Sequence, residues 1–196
     1  MLRYRRIQST LYTDTIFSLK SKSTRVNTSF QVFVSDKVLV AVYPMQLHEQ
    51  FRTAFHWFCK QVGVPDSFVV DGHCSQTSNE VKRFCDQVVT TLKVLDTGKS
   101  WENIAELYIV LLKEAVYKDL RASNSPMFLW CYAIQRRASI HNAIPRPLFQ
   151  ADGKRLMYQL LDFREIFMTC APLDGTSGYN TVTVVPSPKI NKILEE

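Results

Sequence analysis

No C-x-x-C pair occurs among the 196 residues, which excludes a zinc ribbon. No apolar run is long enough to span a bilayer. Internal repeats and low-complexity tracts are also missing, so repeat architectures drop out. The five cysteines, Cys59, Cys74, Cys85, Cys131 and Cys170, are odd in number and follow no signal peptide. The expectation is reduced thiols inside a cell, with Cys59 and Cys85 as core residues in apolar helical patterns. Acidic residues are in deficit, 18 against 24 Lys and Arg, for a net charge of +6. That balance is compatible with nucleic acid and equally with an ordinary soluble protein.

What is present is globular. Hydrophobic residues make up 46% and charged residues 21%, enough for a core and too apolar for a disordered chain. The length suits one domain with an extra tail. Charge is uneven: residues 1–25 hold Arg3, Arg5, Arg6, Lys20, Lys22 and Arg25 against Asp14 alone. Such a segment is either a phosphate contact or a solvated end.

Residues 11–18 (LYTDTIFS) read as a strand, with Asp14 in its middle. Residues 29–34 alternate, placing Phe30, Val32 and Val34 on one face, and residues 38–43 (VLVAVY) read as a strand buried on both faces. Short turns between these strands predict an antiparallel meander. A helix is predicted over 48–62 from Phe51, Phe55, Phe58 and Val62, stopped by Gly63 and Pro65. Residues 67–70 make a fourth strand ending at Asp71-Gly72. A capping box between Thr77 and Glu80 predicts a helix to about Asp86, and a fifth strand follows over 88–95. A long helix over 102–121 carries an apolar stripe of Ile104, Leu107, Tyr108, Leu111 and Ala115, and another helix runs over 126–140 from Pro126. Trp57 and Trp101 are expected to pack. The order β-β-β-α-β-α-β-α-α describes an α/β fold, a mixed five-stranded sheet with helices packed on it. Beyond it, residues 142–154 read as a linker, 156–170 as a helix and 181–185 as a short strand.

Three acids stand out by position: Asp14 inside the first strand, Asp71 just past the fourth, and Glu106 in the first turns of the long helix. Each has an ordinary explanation. Asp-Gly is a common turn, a helix glutamate is usually solvated, and a mid-strand Asp can guard a sheet edge. Together they form a set whose mutual repulsion a divalent cation would remove, and hard oxygen ligands select magnesium or manganese. Two such ions flanking a phosphate suit in-line displacement at phosphorus.

The stretches TDTIFSLKSKSTRVNTSFQVFV, YPM, QVGVPDSFVVDG, QTSNEVKRFC, SWENIAELYIVLLKEA and SPMFLWCYA resemble, in order, the integrase core of Copia-type LTR retrotransposons, within the retroviral integrase superfamily. The resemblance covers residues 11–150, leaving a basic segment over 1–10 and an extension over 151–196. It implies an RNase H-like fold. Asp14, Asp71 and Glu106 fall on the family's acidic triad, which implies two magnesium or manganese ions and 3′ processing and strand transfer of element DNA. It further implies a homodimer or higher oligomer, DNA as the partner, no membrane, and the nucleus or a cytoplasmic virus-like particle as the location. Lys113 matches a lysine of close relatives and shares a helix face with Glu106, as a phosphate contact or a solvated lysine. Asn103, which shapes the loop or touches the DNA backbone, and Lys99 complete the candidate DNA contacts. Val110 stands where relatives carry a basic residue. The family's His/His/Cys/Cys zinc module is not matched by His48, His56, His73 and His141. These departures give a fragment or a decayed, non-catalytic DNA-binding or assembly module as the rival expectation, and an RNase H-like nuclease on structured nucleic acid as a third. His73 and Cys74 are read as loop residues.

Overall fold

The computed structural model describes residues 4–17, 22–96 and 98–144. The expected linker over 142–154 falls almost wholly outside that range, and the helix over 156–170 and the strand over 181–185 lie outside it entirely.

Five strands, β1 (Arg6–Phe17), β2 (Ser29–Ser35), β3 (Val40–Met45), β4 (Val64–Val70) and β5 (Thr91–Val94), form one sheet in the order β3-β2-β1-β4-β5. The first three are the antiparallel meander the sequence predicts, and β4 and β5 add in parallel beside β1. The mixed five-stranded sheet of the sequence reading is therefore present. The helices are α1 (Phe51–Gln61), α2 (Asn79–Gln87), α3 (Ile104–Ala122) and α4 (Trp130–Ala143).

Alternation along the strands divides the core. Phe30, Val32 and Val34 of β2, with Ile16 of β1, pack against Ala105, Ile109, Leu112 and Val116 of α3 and Trp130 and Ile134 of α4. On the opposite face Phe33 meets the rings of Phe51, Phe55 and Phe58 of α1, and Phe55 stacks on Phe68 of β4 at 4.2 Å between centroids. Each such ring pair contributes roughly 0.5–1.5 kcal/mol beyond the area it buries. Helices on both faces explain why all seven residues of β2 are buried and not every second one. Cys59 and Cys85 are buried, as expected.

Several expectations are corrected. The buried stripe of α3 is Ala105, Ile109, Leu112, Val116 and Leu120. Leu107 and Leu111 of the predicted stripe are 59% and 49% exposed, and Ile104 and Tyr108 are partly buried at the edge of the core. This helix has two apolar faces, and helical periodicity cannot say which one meets the sheet. Trp101 is 77% exposed and does not pack. Trp57 is half-buried, with the Lys60 ammonium 4.9 Å from its ring. The cap of α2 is Ser78, whose hydroxyl accepts from the Val81 N–H, so the Thr77–Glu80 box does not form. Pro126 caps a 3₁₀ turn, Met127–Leu129, ahead of α4. The fifth strand starts at Thr91 because Val88 closes α2.

Two turns demand unusual backbone. Gly63 joins α1 to β4 at φ +134°, where an added Cβ would lie 2.8 Å from the Arg5 carbonyl oxygen. Val89 sits at φ +56° although it is β-branched and 76% exposed. Left-handed backbone costs a side chain about 1–2 kcal/mol, and glycine returns roughly 0.5–1 kcal/mol of that as lost chain entropy. Val89→Gly should therefore raise the urea-unfolding free energy by about 0.5–1 kcal/mol. No change, or a loss, would mean that the valine packs in a way its exposure does not show.

Candidate active site

β1 and β4 run parallel, so their carboxyl ends share one edge of the sheet, the customary place for a site in such sheets. Asp14 lies near that edge on the face it shares with Ile16, towards α3. A buried polar clamp holds the strand around it. The Gln31 amide donates to the Thr13 hydroxyl and to the Asp14 carbonyl, the latter at 2.9 Å, while Gln31 Oε1 accepts from the Thr15 hydroxyl at 2.8 Å. Asp14 Oδ1 accepts from the Thr15 N–H at 2.6 Å.

Asp71 is the first residue after β4 and is exposed. Its N–H donates to Oε1 of Gln76 at 3.1 Å, and its Oδ1 accepts from the Gly72 N–H at 2.8 Å. Gln76 is buried, so it anchors the loop that carries the acid. Glu106 stands exposed in the first turn of α3. Asn103 caps that helix: its Oδ1 accepts from the Ala105 N–H at 3.2 Å, and its Nδ2 donates to the Thr13 carbonyl at 3.1 Å. One side chain thus ties the start of α3 to β1 beside Asp14.

Burial raises the Asp14 carboxyl above its ordinary pKa; the Thr15 N–H opposes this, the charges of Glu106 and Asp71 add to it, and Lys113 again opposes. The structure therefore brings Asp71, Glu106 and Lys113 within electrostatic reach of Asp14, although they come from a loop and a helix. Among the described residues, no three His, Cys, Asp or Glu side chains stand in a set that would hold a metal ion as they are placed. The donor chemistry nonetheless fits a hard cation. All three groups are carboxylates, and the half-buried one carries an unfavourable charge that a cation would offset.

The other predicted contacts divide. Lys113 is half-buried and acts on Asp14. Lys99 is exposed and paired with Asp96 at 3.1 Å, and it is not among the charges acting on Asp14. Asn103 is buried with both ends of its amide engaged inside the protein. Of its two expected roles, shaping the loop is the one whose partners are seen. Gln31 and Gln76 were not singled out from the sequence. Gln31 left a signal, a lone amide in the apolar run SFQVFVS. Gln76 left none. His73 and Cys74 are exposed loop residues, as expected.

No family model matches the sequence, and no curated protein matches it. Solved structures do. The catalytic core of the HTLV-2 integrase in complex with magnesium, in its dimeric form, aligns with TM-score 0.58 at 17% identity, over 81% of this chain and 99% of that one. The trimeric form gives TM-score 0.56 at 17% identity, over 82% and 97%. A chain of the simian T-cell lymphotropic virus intasome, in complex with PP2A regulatory subunit B56 gamma, gives TM-score 0.62 at 15% identity, over 91% of this chain and 63% of that one. The fold is that of an integrase catalytic core. The RNase H-like arrangement expected from the sequence thus stands. No described helix is long and apolar enough to cross a membrane.

Proposed function

We propose that this chain is a divalent-metal-dependent polynucleotidyl transferase core that cuts and joins DNA, with Asp14, Asp71 and Glu106 as metal ligands. The observation that carries the reading is that Asp71, just past β4, and Glu106, in the first turn of α3, lie close enough to the half-buried Asp14 of β1 for their charges to raise its carboxyl. Under this reading two magnesium or manganese ions, bound by the three acids, would supply activation of the attacking oxygen and stabilisation of the leaving one. The chain's own part is positional. Gln31 and Asn103 fix the strand that carries Asp14, Gln76 fixes the Asp71 loop, and the Asn103 cap sets where α3 presents Glu106. Lys113, seven residues on from Glu106, is proposed to hold a DNA phosphate. On the strength of the sequence resemblance, the proposed activity is that of a Copia-type retroelement, 3′ processing and strand transfer of element ends. Association into a homodimer or higher oligomer is part of the proposal, and dimeric and trimeric forms are recorded for the HTLV-2 core.

One observation favours a second reading, a non-catalytic DNA-binding or assembly module. Val110 is 54% exposed on the helix that carries Glu106, where relatives place a basic residue, and Leu107 and Leu111 are exposed beside it.

Thermal denaturation separates the two readings. Magnesium or manganese should raise the melting temperature of the wild type, and Asp71→Asn should abolish that gain. The sign for Asp14 follows from linkage. Its folded pKa is raised, so the folded state holds the proton more tightly, and stability falls as pH rises from the unfolded pKa through the raised folded one. At neutral pH the charge is a net burden, so Asp14→Asn should raise the metal-free melting temperature by about 2–4 °C while abolishing the metal response. An unchanged metal response in both variants removes these acids from any metal site.

A further inference from the structure

Three rings are linked by two tilted contacts at the carboxyl edge of the sheet, each ring at or just past the end of a strand. Phe17, the last residue of β1, meets the imidazole of His48 at 4.9 Å between centroids. His48 meets the imidazole of His73 at 5.7 Å. These spacings fall within the range of favourable aromatic pairs. His73 lies two residues beyond Asp71, and Phe17 three residues beyond Asp14. The column has open ends: Phe17 is 58% exposed and His73 is exposed, while His48 between them is half-buried.

A phenylalanine placed only to close a core would not stand this exposed. Its position along β1 is also informative. Alternation turns Phe17 to the opposite face of the sheet from Asp14, about 10 Å further along at the strand rise. That distance is roughly three stacked base steps along one DNA strand. A strand whose phosphate lies over Asp14 and Asp71 and which crosses the sheet edge arrives at the ring column a few nucleotides on. Duplex DNA offers such a column a base face only at its terminal pair, because all its other bases are stacked inside. An unpaired strand offers one at every nucleotide, and stacking on exposed rings accepts any base.

We infer that Phe17, His48 and His73 form a base-stacking platform for an unpaired segment of the DNA strand that occupies the carboxylate site. The inference rests on the proposed DNA-processing function for its orientation, and it names a substrate feature that function does not require. The protein should prefer DNA with a single-stranded tail over blunt duplex, without regard to the sequence of the tail.

The test is equilibrium binding of the full chain to a short duplex, blunt or with a single-stranded 3′ tail carrying 2-aminopurine, in EDTA so that no cleavage occurs. The expected result is tighter binding of the tailed DNA by roughly tenfold, with the 2-aminopurine fluorescence quenched. Phe17→Leu keeps the apolar bulk and loses the ring, so it should lose both the preference and the quenching; Phe17→Trp should keep them, and His73→Ala should reduce them. Equal affinity of the wild type for tailed and blunt DNA overturns the inference. So does an unchanged preference in a folded Phe17→Leu protein. Because binding is read without metal, a failure here leaves the proposed catalytic function standing if manganese-dependent nicking is found. Absence of nicking likewise leaves the platform standing if the tail preference is found and Phe17→Leu removes it.

Discussion

Glu106→Gln should lower manganese-dependent nicking of duplex DNA on the order of 10³-fold or more, with the fold and DNA binding intact. The substitution keeps the shape of the side chain and removes one anionic oxygen donor. Glu106 is exposed, and the bond that its backbone N–H makes to the Asn103 carbonyl at 3.0 Å does not involve the side chain. Stability should therefore move by no more than about 0.5 kcal/mol. The change also takes away one of the negative charges that raise the Asp14 carboxyl, so the metal-free protein should not be weakened. Single-turnover cleavage of labelled DNA, with circular dichroism and a filter-binding measurement on the same preparations, separates loss of chemistry from loss of fold or of substrate. Cleavage by both proteins within about tenfold of each other would remove Glu106 from the reacting centre. No cleavage by a folded, DNA-binding wild type would favour the non-catalytic module.

Much of the sheet was legible because its signals are local. β-branched and aromatic runs mark β1 to β3, and short turns between them leave only a meander. Gly63 marks the end of α1 because its backbone lies where a side chain would strike Arg5. What periodicity could not decide was the orientation of α3. Ile104, Leu107, Leu111 and Ala115 satisfy a helical repeat as well as Ala105, Ile109, Leu112 and Val116 do. Only the partners, Val32 of β2 and Trp130 of α4, select the second set. The acids were legible as positions along elements, each at a strand centre, a strand end or a helix start. The residues that hold them were not. Gln31, Gln76 and Asn103 act across gaps of 17, 5 and 90 residues, through amides whose partners are backbone groups. Apart from the lone amide of Gln31 in an apolar run, the sequence carries no local mark for such bonds. Asn103 was noticed as a neighbour of Glu106 with two possible roles, shaping the loop or touching the DNA backbone, and its buried amide bonds are those of the first, a strut inside the protein.

That strut gives the second large effect. Asn103→Ala removes a helix cap, which costs about 1 kcal/mol. It also removes the donor to the buried Thr13 carbonyl, a further loss of roughly 1–2 kcal/mol. A total of about 2–3 kcal/mol corresponds to a fall in melting temperature of about 5–12 °C. The larger consequence is for the site. With the strut gone, nothing in the side chain of residue 103 fixes the first turn of α3 against β1, so Glu106 loses its registration with Asp14. Nicking should drop by about 10²-fold, the cost of small misplacements in a reacting centre. Asn103→Ser distinguishes the two parts. A serine hydroxyl caps the helix but does not reach Thr13, so about 1 kcal/mol of stability should return while nicking stays low. If Asn103→Ser instead restores both, the cap alone positions Glu106, and the bond to Thr13 is incidental. If Asn103→Ala melts within about 2 °C of the wild type, α3 is held to the sheet by its apolar face alone, and Asn103 is no strut.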